Sequence, residues 1–186
     1  MTGGAARLWW LLRHFGHDEV AVLEGGIGAW LGPLRTGDEQ LEAVEFVPRP
    51  RTHDTIEAGE LSARLGAPGL VLLDARIPER YRGEVEPIDL VAGHIPGARN
   101  LPYNAVEPLP DGALDADELV VYCGSGITAC VDLLALARMG RDDAKLYPGS
   151  WSDWSTRGLA VELGDPFGSR DDPFRSAGRS RRSGRG

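Results

Sequence analysis

Residues 5–30 of this chain match residues 129–154 at a constant offset of 124, without a gap. Ala5 pairs with Ala129, Leu12 with Leu136, Gly16 with Gly140, Asp18 with Asp142, Gly25 with Gly149 and Trp30 with Trp154. Each copy reads as an apolar helix, a glycine stop, an acidic turn, a short strand and an aromatic helix after a glycine. The two strands are Val20-Ala21-Val22-Leu23 and Ala144-Lys145-Leu146-Tyr147. Ordered identities at one spacing mark a duplicated unit. Helix and strand alternate between the copies too. Thr55 to Leu65 reads as a helix with Thr55 as its cap, and Leu70–Asp74 as a buried strand. Ile77 to Tyr81 reads as a short helix, and Gly93–Ala98 as a turn into a strand around Asn100-Leu101. Such alternation predicts a three-layer α/β domain with a mainly parallel sheet, preceded by a partial repeat of the same unit.

The copies are unequal in what precedes them. The second follows a full set of strands and helices, whereas the first begins almost at Met1. The expected organisation is a remnant of a first unit over 1–31, a polar linker over 32–54 with Pro48 and Pro50, a complete domain over 55–162, and a tail over 163–186. The tail is Arg, Ser and Gly with almost no apolar residue, a composition expected to be disordered. The tryptophans and apolar helix of residues 5–30, without the sheet that should cover them, predict docking on the intact domain, self-association or aggregation.

The chemistry concentrates where the second copy begins. Leu119-Val120-Val121-Tyr122 reads as a buried strand, Cys123-Gly124-Ser125-Gly126-Ile127-Thr128 as a small-residue loop, and Ala129 to Met139 as a helix stopped by Gly140. A strand, loop and helix in that order aim backbone N–H groups and a helix N-terminus at one point, which favours a thiolate at Cys123. Gly124 and Gly126 suit a loop whose amides all turn inward, and Thr128 lies where it can cap the helix. Cys130, just inside the helix, reads as a core thiol.

Composition narrows the partners. Net charge is -8, and the six arginines against two aspartates of residues 170–186 leave -12 for residues 1–169. An acidic body argues against nucleic acid as the main ligand. No apolar stretch is long enough for a membrane span, and the N-terminus lacks the regions of a secretory leader. Two cysteines make neither a disulfide framework nor a zinc site, so a reducing cytoplasm and no metal are expected.

Leu73-Asp74-Ala75-Arg76, the Gly93-His94-Ile95-Pro96-Gly97-Ala98 turn, the Cys123–Thr128 loop and Tyr147-Pro148-Gly149-Ser150-Trp151, in this order, resemble the rhodanese superfamily of sulfurtransferases. The span 5–157 resembles the end of one such domain followed by a complete second, as in the two-domain thiosulfate and 3-mercaptopyruvate sulfurtransferases. The resemblance implies that Cys123 carries sulfane sulfur as a persulfide and passes it to cyanide or a thiol, without a cofactor. It implies that Gly124, Ser125, Gly126, Ile127 and Thr128 hold the anion. Arg80, in Glu79-Arg80-Tyr81-Arg82-Gly83, matches the family arginine that holds the donor's anionic group. Arg82 is expected at the surface. Asp74 and His94 are expected to be structural, Asp74 orienting loop amides or Arg76 and His94 bonding to backbone.

The loop resembles the mercaptopyruvate type, since no basic residue follows Cys123. The second arginine of that type, nine positions after the first, is here Asp89. The family's Ser–His–Asp relay draws its histidine from the first domain, so it is not expected to operate in the same form. A dual-specificity phosphatase is rejected because no arginine closes the loop, and a P-loop enzyme because Gly-Lys-Ser/Thr is missing. The alternative from another class is a weakly active or non-catalytic remnant acting as a binding module.

Overall fold

The computed structural model describes residues 3–167. Five helices, Gly3–His14 (α1), Ala58–Arg64 (α2), Pro78–Tyr81 (α3), Ala129–Arg138 (α4) and Ser150–Thr156 (α5), alternate with four strands. The strands are Leu70–Asp74 (β1), Arg99–Asn100 (β2), Glu118–Tyr122 (β3) and Lys145–Leu146 (β4). They form one sheet in the order β2-β1-β3-β4 with every pair parallel. β1 and β3 run side by side from Leu70 opposite Glu118 to Asp74 opposite Tyr122. Two central strands of leucine and valine are what a parallel sheet covered on both faces requires.

Alternation along these strands builds the layers. Leu73, Leu119, Val121 and Cys123 face a core shared with α1 and α4, including Trp9, Trp10, Leu133 and Leu136. Leu72, Val120 and Tyr122 face the opposite core, made by Leu61 of α2, Tyr81 of α3 and Trp151 and Trp154 of α5. The result is the expected three-layer α/β arrangement. The carboxyl ends of β1 and β3 lie side by side, and Cys123 follows directly on β3. Ligands of open parallel sheets bind at that edge.

Helix α1 packs with α4 through buried Ala6, Trp9 and Trp10. Its C-terminal end is strapped by the close of the linker: Arg49 and Arg51 donate backbone N–H groups to Phe15 and His14 at 2.9 and 2.8 Å. His14 Nδ1 lies 3.0 Å from Asp54 Oδ1.

Several local expectations change. Val20–Leu23 belongs to no strand, and a single 3-10 turn, Gly26–Ala29, stands in place of the first aromatic helix. In the second copy β4 pairs with β3, and Trp154 is fully buried against the sheet. Among the described residues no strand lies beside Val20–Leu23, so its backbone has no ladder to join and Trp30 stays 49% exposed. Thr55 caps nothing; it bridges to Leu146, and the residue before α2 is Glu57 without a side-chain cap bond. Thr128 does precede α4, but with helical backbone and no side-chain cap bond. The linker carries no regular structure and exposes Leu34, Leu41 and Val44. Of the expected tail, residues 168–186 lie outside the described residues. No helix among the described residues is long and apolar enough to cross a membrane.

Candidate active site

The backbone of the Cys123 loop is sorted by polarity. Its carbonyls are engaged at every position but Ser125: Cys123 O accepts from Trp151 N (2.9 Å), Gly124 O from Ser152 N (3.0 Å), Ile127 O from Cys130 N (3.2 Å) and Thr128 O from Val131 N (2.9 Å). Gly126 O accepts from Arg7 Nη1 at 3.2 Å and from the Cys130 thiol at 3.4 Å. By contrast, none of the N–H groups of residues 124–128 donates to a protein acceptor among the described residues. Successive free N–H groups in a tight turn make an anion-binding concavity. Gly126 makes the turn affordable, with φ +72° and a Cβ position only 2.6 Å from the Pro148 carbonyl oxygen.

Cys123 sits at the foot of this loop, 1% exposed, with Ser125 and Ile127 at the surface above it. Its own N–H donates to Ser150 Oγ (3.1 Å), whose hydroxyl donates to Tyr147 O (3.0 Å). Ser150 is fully buried and holds φ 55°. A left-handed serine is uncommon and persists only where its surroundings over-determine it. The sequence reading placed Ser150 in a matching segment without giving it a role, because nothing local signals that backbone.

Arg80 lies over the loop: a Cβ on Gly124 would be 3.3 Å from its Nη1. It is not free there. Its Nη2 lies 2.6 Å from Glu86 Oε1 and 3.4 Å from Asp89 Oδ2. Glu86 also accepts the N–H groups of Ile88 and Asp89 and faces Arg76 Nη1 at 3.3 Å. Burial works to raise its pKa, but the hydrogen bonds from Arg80 and these amides hold the Glu86 carboxyl below the usual carboxylate range. Glu86 carries no signal in the sequence, since it lies six residues beyond Arg80 and meets it only where the chain turns back. Arg82 pairs with Glu84 at the surface, as expected.

Asp74 and Arg76 complete the chain of charges behind the loop. Asp74 Oδ1 accepts Arg76 N at 2.9 Å and Oδ2 accepts Nη2 at 2.6 Å, both residues being buried. Burial opposes the Arg76 charge, but the Asp74 carboxylate prevails and holds the guanidinium protonated. Arg76 also donates to Gly93 O at 2.7 Å and lies 4.7 Å from the Trp151 ring centroid. Asp74 thus orients Arg76, and Arg76 and Arg80 share Glu86.

His94 is fully buried and stacks on Tyr81 with ring centroids 4.0 Å apart. Its Nδ1–H donates to Tyr81 O at 2.8 Å, and its backbone exchanges two hydrogen bonds with Glu162. Burial pushes its pKa down, against the Tyr81 carbonyl, which leaves a neutral ring whose Nε2 has no hydrogen-bond partner. The ring is engaged in the turn between Tyr81 and Glu162.

A rhodanese-like domain model matches residues 57–157. The chain is 46% identical over 172 residues to a probable 3-mercaptopyruvate sulfurtransferase of Pseudomonas aeruginosa, covering 82% of this chain and 61% of the relative. It is 44% identical over 177 residues to a putative thiosulfate sulfurtransferase, SseB, of Mycobacterium tuberculosis, covering 82% and 60%. Among solved structures it resembles the 3-mercaptopyruvate sulfurtransferase SseA of Escherichia coli, at TM-score 0.62 and 34% identity over 79% of this chain and 62% of that one. The chain therefore spans about 60% of the length of these curated relatives. Over its Cys loop, its parallel sheet and the turn at His94, this chain belongs to the rhodanese-like domain family.

Proposed function

We propose that the chain is a sulfurtransferase that moves a sulfane sulfur from 3-mercaptopyruvate or thiosulfate to a thiol or cyanide through a persulfide on Cys123. The observation that carries this reading is the loop of free N–H groups above Cys123, with every carbonyl but that of Ser125 bonded to another part of the chain. A thiolate attacking the donor sulfur becomes a terminal persulfide anion, and fixed amide dipoles stabilise that anion without reorganising. With 3-mercaptopyruvate, the Cys123 thiolate forms an S–S bond as the C–S bond breaks, and the departing enolate of pyruvate takes up a proton. An acceptor thiolate then attacks the terminal sulfur and returns Cys123 as thiolate. No cofactor or metal enters either step.

3-Mercaptopyruvate is the favoured donor because no basic residue follows Cys123 to bind the thiosulfate dianion. Gly124, Ser125, Gly126, Ile127 and Thr128 hold the reacting sulfur, and Arg80 the donor's anionic group once it exchanges Asp89 for substrate. Asp74 and His94 support the site structurally. Residues 1–31 act as a partial repeat of the unit, 32–54 as linker and 55–162 as the catalytic domain, working in the cytoplasm.

One observation favours a second reading, a weakly active or non-catalytic binding module. Arg80 is already paired with two carboxylates, and Leu31, at 98% exposed, leads a run of uncovered apolar residues suited to self-association. Steady-state assays separate the two. Pyruvate release from 3-mercaptopyruvate with a thiol acceptor, abolished in Cys123→Ser, supports the enzyme. No release, with thiocyanate absent as well when thiosulfate and cyanide are supplied, supports the module.

A further inference from the structure

Among the described residues, the Gly126 carbonyl is the one in the loop held by side chains. Arg7 Nη1 donates to it at 3.2 Å across a separation of 119 residues, and the Cys130 thiol donates at 3.4 Å. Arg7 Nη1 also lies 3.8 Å from Cys130 Sγ, closing a triangle beneath the loop. Burial pushes the Cys130 thiol up to about 11, against the Arg7 charge, so it remains a protonated donor. The rest of α1 secures Arg7. Its guanidinium stands 5.0 Å from the Trp10 ring centroid, Ala6 is fully buried, and a Cβ on Gly3 would meet Ile127 and Thr128 side chains at 3.4 and 3.5 Å.

The Gly126 carbonyl and the Ile127 N–H belong to one planar trans peptide and point in opposite directions. A partner that holds the carbonyl outward therefore turns the N–H into the loop. Gly126, lacking a Cβ and sitting at φ +72°, is the residue about which this peptide flips most freely. A flip exchanges a donor facing the sulfur for a carbonyl oxygen.

We propose that Arg7, from the helix outside the family-matched span, is a positioning residue for the Cys123 loop: it anchors the Gly126 carbonyl and so fixes the Ile127 N–H toward the sulfur anion. Arg7 touches no substrate. Its guanidinium also places a positive charge beside the Gly126 carbonyl, which favours an anion held in the loop. The proposal rests on Cys123 being the nucleophile, and its readout is independent of sulfur transfer.

The test is alkylation of Cys123 by iodoacetamide in the full chain from about pH 5 to pH 9, located by peptide mass so that Cys130 does not contribute. Arg7→Met is expected to displace the pH–rate profile upward and to slow alkylation near neutral pH about three- to tenfold. Arg7→Lys, which retains a charged donor, is expected to restore most of that loss. Thermal melts establish that each variant is folded; should Arg7→Met not fold, Arg7→Gln carries the same expectation. A wild-type profile in folded Arg7→Met, or a lowered melting temperature with an unmoved profile, overturns the proposal. Failure of the wild type to take sulfur from either donor would count against the sulfurtransferase reading and leave this comparison intact.

Discussion

Asp132 offers a sharp test of the electrostatics behind the loop. It lies on α4 between Val131 and Leu133, is fully buried, and neither carboxyl oxygen has a hydrogen-bond partner among the described residues. Burial, then the charges at Cys123 and Asp74, push its pKa well above the ordinary aspartate value. The carboxyl therefore keeps its proton to higher pH in the fold than in the unfolded chain, where it ionises above about pH 4. With the folded pKa raised, its contribution is most favourable below about pH 4 and is lost as pH climbs toward the folded value, by about 1.4 kcal/mol per unit. Asp132→Val removes an unpaired polar group, worth about 1–3 kcal/mol, at little change in volume. The variant should gain at least that much at either pH, and about 1–3 kcal/mol alone is a rise in Tm of roughly 2–12 °C for a chain of this size. Circular-dichroism melts at about pH 5 and pH 8 measure both arms, and the gain should be larger at the higher pH. A lower Tm at both values, or a gain equal at both, would refute a neutral, unpartnered carboxyl.

Other perturbations read the site itself. Gly126→Ala places a methyl 2.6 Å from Pro148 O at φ +72°, so the loop must shift; Tm should fall and the persulfide yield should drop at least tenfold, measured by thermal melt and intact mass. Asp89→Asn releases one carboxylate from Arg80 and should lower KM for 3-mercaptopyruvate about threefold to fivefold with kcat little changed. Trp9→Ala, which uncovers the α1 face against α4, should cost about 3–5 kcal/mol in chemical denaturation.

What was legible in the sequence is what local pattern determines. Leu70–Asp74 and Leu119–Tyr122 are short enough and apolar enough that a buried parallel strand is their only economical fate. The Cys loop follows because its glycines, its strand and its helix are contiguous. Val20–Leu23 has the same local pattern and forms no strand, since a strand is a property of a pair and its partner is not within the described residues. The remaining site residues depend on distant contacts. Arg7 reaches Gly126 from another unit, and Glu86 acts through the two arginines it bridges. Ser150 matters through a backbone angle its residue type does not announce. Arg80 was readable by position, but its pairing with Asp89 depends on where the segment after Gly83 folds back.

Intact-mass analysis reads sulfur on Cys123 without an acceptor or a coupled assay. After brief incubation with 3-mercaptopyruvate and removal of excess donor, the wild type should gain the mass of a single sulfur atom, localised to the peptide containing Cys123. The adduct should vanish on addition of cyanide and never form in Cys123→Ser. A wild type whose mass does not change with either 3-mercaptopyruvate or thiosulfate, or an adduct that persists in Cys123→Ser, would contradict the account.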